Sequence, residues 1–160
     1  MSKEQRLSTG DIRLISSSEA ETKLIARAIL ENAAKKNRNT SITIALNGEL
    51  GAGKTRFAQG VAEFLQIGRK ITSPTFVLMK KYDVRDRVFE KKIRKFYHLD
   101  CYRVNSSKEI QDIGWEDVVS DPGNIILVEW AEKIEDILPQ NTIRVSIKET
   151  GENTREITVK

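Results

Sequence analysis

The chain is poor in the residues that cross-link, interrupt or ligate: of 160 residues, one is cysteine (Cys101), one is histidine (His98) and three are proline. A lone cysteine excludes an internal disulfide and any metal site built from several thiolates, and it makes a reducing cytoplasm the simplest expected location. With so few prolines and no Pro/Gly/Ser-rich stretch, no linker divides the sequence. A single domain over residues 1–160 is expected, with 1–10 as a flexible start. No apolar run approaches the roughly 18 residues of a membrane span, so no membrane association is expected. The opening "MSKEQRLSTG" lacks the apolar segment of a signal peptide.

What is present is a soluble globular composition, 39% hydrophobic and 31% charged, in a length that holds one core and one site, or one site plus a docking surface. The net charge of +4 is small but uneven. Between Lys80 and Lys95 stand eight basic residues (Lys80, Lys81, Arg85, Arg87, Lys91, Lys92, Arg94, Lys95) against three acids. This window, 80–95, reads either as a solvated basic hairpin or as a patch for RNA or an acidic protein.

The pattern of elements alternates. "SSSEAETKLIARAILENAAKKN" predicts an amphipathic helix with Ser18 and Glu21 as a capping box and Leu24, Ile25, Ala28 and Ile29 on its apolar face. "SITIALN" predicts a buried strand ending at Gly48, and "KTRFAQGVAEFLQIG" a second helix stopping at Gly68. Past Pro74, "VLMKKYDV" and "VFEKKIRKFYHLDCYRV" predict the two arms of a charged hairpin. Helix is expected around "SSKEIQDIGWEDVV", capped by Ser106 or Ser107. A hydrophobic strand is expected in "NIILVEW", a short helix in "AEKIEDIL" before Pro139, and a closing hairpin around Gly151. The fold class is α/β: a single-domain P-loop NTPase-like sandwich, its mixed parallel and antiparallel sheet flanked by helices.

Between the first strand and the second helix lies "GELGAGKT", Gly48 to Thr55, which satisfies G-x-x-x-x-G-K-[ST] in full. Such a loop needs glycines so that successive N–H groups can approach and face phosphate oxygens, and the following helix N-terminus adds partial positive charge. Lys54 is suited to the β- and γ-phosphates and the Thr55 hydroxyl to Mg²⁺. With no N-K-x-D downstream, ATP is the expected nucleotide.

Phosphoryl transfer also needs an acid near the metal, and Glu129 closes the apolar run "IILVEW". A buried acid there is costly without a partner such as Mg²⁺; the alternative is that it caps the next helix. Trp130 either covers the nucleotide or packs the core. In "HLDCYR", strand alternation puts His98, Asp100 and Tyr102 on one face. Asp100 is the candidate to orient an attacking water or a metal-bound one, while His98 also fits a structural, hydrogen-bonded role. "TSPTF" sets the hydroxyls of Thr72, Ser73 and Thr75 around a stiff proline, as a γ-phosphate sensor or a plain turn.

"GELGAGKT", "TSPTF", "HLDCYR" and "VEW", in this order and in a chain of this size, resemble the TsaE family (also called YjeE), small P-loop ATPases of bacterial tRNA threonylcarbamoyladenosine biosynthesis. The resemblance runs from the first helix through Trp130. It implies a cytoplasmic Mg²⁺-dependent ATPase of low intrinsic activity, with Lys54, Asp100 and Glu129 catalytic and Thr55 and Glu129 on the metal. It implies nucleotide contacts from Glu49, Leu50, Gly51, Ala52, Gly53, Lys54, Thr55, Arg56 and Trp130, and more loosely from Thr22 in the first helix. Thr72, Ser73 and Thr75 would form a switch-like loop. The implied partners are TsaD and TsaB, which transfer threonylcarbamoyl to adenosine 37 of tRNA, with tRNA contacted indirectly through that assembly. The basic hairpin is longer than the family pattern. A small-molecule or nucleotide kinase is the alternative enzyme, and an RNA-binding module acting through residues 80–95 is the alternative from another class.

Overall fold

The computed structural model describes residues 10–72, 74, 77–85 and 89–160. Among the described residues, seven strands form one sheet in the order β1-β7-β6-β2-β5-β4-β3. Its centre is parallel: β2 (Ile42–Asn47) lies between β5 (Asn124–Glu129) and β6 (Ile143–Glu149), and β4 (Lys95–Asp100) lies outside β5. All six residues of β5 are buried, which is why "NIILVE" reads as an unbroken apolar run rather than an alternating one. Both margins are antiparallel. β3 (Met79–Asp83) pairs with β4, and β7 (Arg155–Val159) pairs with both β6 and β1 (Ile12–Ser16). The sequence does not predict the edge strand β1, because Ile12 and Ile15, on opposite faces, are both exposed and its five residues carry no clean alternation.

Helices α1 (Glu19–Lys36) and α2 (Lys54–Phe64) pack together and share one core with Ile44, Leu46, Phe96, Leu127 and Val145 of the sheet. The face of α1 differs from the expected one. Leu24 is 62% exposed and Ala28 is exposed, whereas Thr22, Ala26, Ile29, Leu30, Ala33 and Ala34 are buried. Small alanines turn inward because α1 lies close against α2: a Cβ on Gly60 of α2 would sit 2.7 Å from the Lys23 Cα. Ser18 caps α1 as expected, accepting from the Glu21 N–H at 3.1 Å, but the Glu21 carboxylate takes the N–H of Ser17.

On the other face, α3 (Ser107–Gln111), α4 (Trp115–Ser120) and a 3₁₀ helix (Ala131–Ile137) cover Ala45, Leu99, Ile126 and Val128. The helical stretches expected over 106–119 are two helices parted at Gly114, whose φ of +95° a helix cannot hold. Ser106 is its cap, in a full capping box with Glu109. Among the described residues no helix is long and apolar enough to cross a membrane.

Candidate nucleotide site

Parallel pairing decides where the polar groups meet. β2, β4 and β5 run in the same direction and end level with one another, since Leu46 and Asp100 both stand opposite Glu129. The carboxyl ends of adjacent parallel strands are where open α/β sheets bind ligands. Here they open on a cavity of about 560 Å³, within the usual size for a small-molecule site.

The loop from Gly48 to Gly53 forms the cavity's floor. Gly51 and Gly53 have φ of +80° and +108°, which residues with a side chain rarely adopt, and the Ala52 N–H closes a turn onto the Glu49 carbonyl at 3.1 Å. A Cβ on Gly48 would lie 2.7 Å from the Ile147 carbonyl oxygen, so β6 supports the loop from behind. The helix α2 begins at Lys54, and its first three residues line the cavity, which brings the start of the helix to it. Leu50, Gly51, Gly53, Lys54, Thr55 and Arg56 line it, while Glu49 and Ala52 stand outside its wall.

Lys54 is 7% exposed. Its ammonium donates to the Gly48 carbonyl and, at 3.0 Å, to that of Glu49, and it lies 4.4 Å from the centre of the Trp130 ring. Burial pulls its pKa below the ordinary lysine value, and the carboxylates of Glu129 and Asp100 partly restore it. Lys54 thus faces two buried acids, Glu129 at 2% and Asp100 at 7% exposure. The Asp100 carboxylate accepts from the Tyr102 N–H at 2.9 Å, which fixes its direction.

The three residues expected on one face of "HLDCYR" divide. β4 ends at Asp100, and Tyr102 lies in the following turn. Its ring nonetheless reaches the cavity wall and packs on Trp130 at 5.0 Å between centres. His98 is wholly buried beneath the cavity rather than on its edge, its Nε2 3.6 Å from the Glu129 carboxylate. Glu129 does not cap the next helix; the residue at that position is Trp130, in the left-handed conformation with φ +56°. Such a conformation costs roughly 1–3 kcal/mol in a non-glycine residue, and it turns the indole over Lys54.

Thr22 lines the cavity, although its hydroxyl is engaged with Ser16 at 2.8 Å. Arg56 also lines it, ion-paired to Glu19 at 2.9 Å. Thr72 is exposed and its hydroxyl meets the Lys80 ammonium at 3.3 Å. Ser73 and Thr75 lie outside the described residues. Sequence reasoning missed Ser18, Glu19, Glu152, Asn153 and Arg155, which complete the cavity wall. The turn between β6 and β7 reaches the site because β6 runs parallel to β2. That pairing is the signal that could have found it, since the turn after β6 must then stand beside the loop after β2.

Among the described residues of the basic window, several cations are engaged within the protein. Lys91 donates to the carbonyls of Asn37 and Thr40, Arg94 pairs with Asp121 at 2.5 Å and Lys95 pairs with Asp83.

For a magnesium ion, the donors on hand are hard oxygens: the Thr55 hydroxyl, exposed at the start of α2, and the buried Glu129 carboxylate. Among the described residues no three acidic, histidine or cysteine side chains gather into a protein-only metal site. Two protein oxygens with the remainder from phosphate and water is the usual magnesium arrangement, so the residues fit.

The family model described as "Threonylcarbamoyl adenosine biosynthesis protein TsaE" matches residues 16–157. The chain belongs to the TsaE family. It is 43% identical over 115 residues to the tRNA threonylcarbamoyladenosine biosynthesis protein TsaE of Bacillus subtilis, covering 72% of this chain and 66% of that one. To the protein of the same name from Rickettsia typhi it is 35% identical, covering 89% and 90%. A crystal structure of YdiB from Bacillus subtilis superposes with a TM-score of 0.66 at 32% identity, covering 93% of this chain and 84% of that one.

Proposed function

We propose that this TsaE-family chain is a Mg²⁺-dependent ATPase of tRNA threonylcarbamoyladenosine biosynthesis. The observation that carries the reading is the convergence of the glycine loop, Lys54, Asp100 and Glu129 on one cavity at the ends of β2, β4 and β5. Charge supports it as well. The cavity lining sets four carboxylates, Glu19, Asp100, Glu129 and Glu152, against three cations, Lys54, Arg56 and Arg155, so a triphosphate is expected to enter with a divalent cation.

In this reading the loop N–H groups and the start of α2 hold the phosphates. Lys54 leaves the Gly48 and Glu49 carbonyls for the β- and γ-phosphate oxygens, where charge grows in the transition state. Thr55 and Glu129 would hold Mg²⁺, and the ion would supply neutralisation of charge on the transferring phosphoryl group. Asp100, oriented by the Tyr102 N–H, aligns the attacking water. Trp130 and Tyr102 wall off solvent. Hydrolysis works in the cytoplasm to support turnover of the TsaD and TsaB assembly, with tRNA engaged through those proteins.

The test is ATP hydrolysis by the purified protein with Mg²⁺, alone and then with TsaD, TsaB and substrate tRNA. A slow basal rate that changes when the partners are added is expected. A rate indifferent to them, with phosphate transferred to a small acceptor, overturns the proposal in favour of a kinase.

A further inference from the structure

Arg155, the first residue of β7, is 103 positions from the glycine loop, yet its Nε donates to the Ala52 carbonyl at 3.0 Å. Its Nη1 donates to the carbonyls of Gly151 at 3.2 Å and Thr154 at 3.1 Å. The guanidinium therefore ties the β6–β7 turn to the loop, largely shielded from solvent and with the Glu149 carboxylate 3.9 Å away. It also packs against Gly53, where a Cβ would lie 3.8 Å from Nε.

A trans peptide is planar and sets its C=O and N–H in opposite directions. Fixing the Ala52 oxygen on Arg155 therefore also fixes the opposite direction of the Gly53 N–H, at a residue that lines the cavity. Left alone, this peptide would have little to keep it there. Gly53, at φ +108°, tolerates either sign of φ, so rotation of the 52–53 peptide meets almost no side-chain barrier.

We infer that Arg155 is a positioning residue for nucleotide binding: it locks the 52–53 peptide so that the Gly53 N–H is presented to the phosphates before the nucleotide arrives. The inference rests on the nucleotide reading above. A charge-assisted hydrogen bond of this kind is worth enough that its loss weakens binding about tenfold or more. The effect falls on ligands with a β-phosphate, because Gly53 directly precedes Lys54, the residue that reaches the β- and γ-phosphates in this reading.

The experiment measures affinities of the full chain for ATP, ADP and AMP by calorimetry, in the wild type and in Arg155→Ala and Arg155→Lys. The Gly53 amide signal is followed by NMR without nucleotide. We expect ATP and ADP to bind about tenfold more weakly to Arg155→Ala with AMP unchanged, a smaller loss in Arg155→Lys, and a Gly53 amide broadened by exchange in both. Unchanged ADP affinity in Arg155→Ala overturns the inference. So does equal weakening of all three nucleotides, or an Arg155→Lys variant that matches the wild type in both affinity and amide line width. Should Arg155→Ala fail to fold, Arg155→Lys carries both readouts. A wild-type protein that binds no ATP refutes the nucleotide reading itself, while the Gly53 amide still reports on the peptide.

Discussion

Gly60 sits inside α2, where intrinsic propensity favours alanine by about 1 kcal/mol, so a Gly60→Ala change judged on the helix alone should stabilise the protein. The packing predicts the opposite. The new Cβ would lie 2.7 Å from the Lys23 Cα, 2.8 Å from its carbonyl oxygen and 3.0 Å from its Cβ. Non-bonded carbons rest at about 3.5–4.0 Å, so α1 must retreat by roughly 0.8 Å or more, and no rotamer change can relieve a contact with backbone. Overpacking of this kind costs about 3 kcal/mol at the upper end, which leaves a net loss of about 2 kcal/mol after the propensity gain. In a chain of 160 residues that lowers Tm by about 4–8 °C.

The same displacement reaches the site, because α1 carries Ser18, Glu19 and Thr22 to the cavity wall and Glu19 pairs with Arg56. ATP affinity should fall together with stability. Urea denaturation of wild type and Gly60→Ala, fitted with a common m-value, checks the first point and calorimetric titration the second. A variant as stable as the wild type or more so refutes the close approach of α1 and α2 on which the account of the alanine face depends.

Lys54→Ala should reduce ATP hydrolysis by at least about a hundredfold while Tm moves only a few degrees, because burial already opposes the charge; kinetics and thermal melts on one preparation check this. Phe57→Ala removes a fully buried ring between α2 and the sheet and should destabilise by about 3–5 kcal/mol in denaturant titration. Cys101 supplies a pH dependence, since burial pushes its thiol from 9.0 up to about 12. Below pH 9 both states hold the proton; above it the unfolded chain releases the proton and the folded chain does not. Stability should therefore fall as pH rises through this window, by about 1.4 kcal/mol per unit and at most ~4 kcal/mol in all. The slope attributable to the thiol should vanish in Cys101→Ala, measured by denaturation at several pH values.

Local signals were readable in the sequence where the chemistry is local. The glycine loop between an apolar strand and an amphipathic helix, the buried run ending in Glu129, and the hairpins at both margins follow from neighbouring residues alone. What failed depends on distant partners. The face of α1 could not be read from hydrophobicity, because the nearness of Gly60 selects alanines over Leu24. β1 is a strand because β7 offers it an edge, with Ile12 opposite Val159 and Leu14 opposite Ile157. His98 followed strand alternation into the core beneath the cavity, whereas Tyr102 escaped alternation because β4 had already ended. Arg155 carried no motif at all, and only the parallel pairing of β6 with β2 brings its hairpin to the loop.

That pairing also explains why antiparallel margins suit a site of this kind. A parallel strand ends beside its neighbour's end, and the polypeptide must then leave through a helix, as β2 does into α2. An antiparallel return instead keeps the chain at the edge of the site. After β6 the chain turns through 150–154 and comes back as β7, which delivers Glu152, Asn153 and Arg155 to the cavity without another crossover. The opposite margin works from the other direction: β3 runs against β4 and fixes the strand that ends in Asp100. The glycine loop is thus supported behind by β6, tied by Arg155 and faced by acids from β4 and β5. A loop rich in glycine is soft by composition, and here its order comes from the sheet around it.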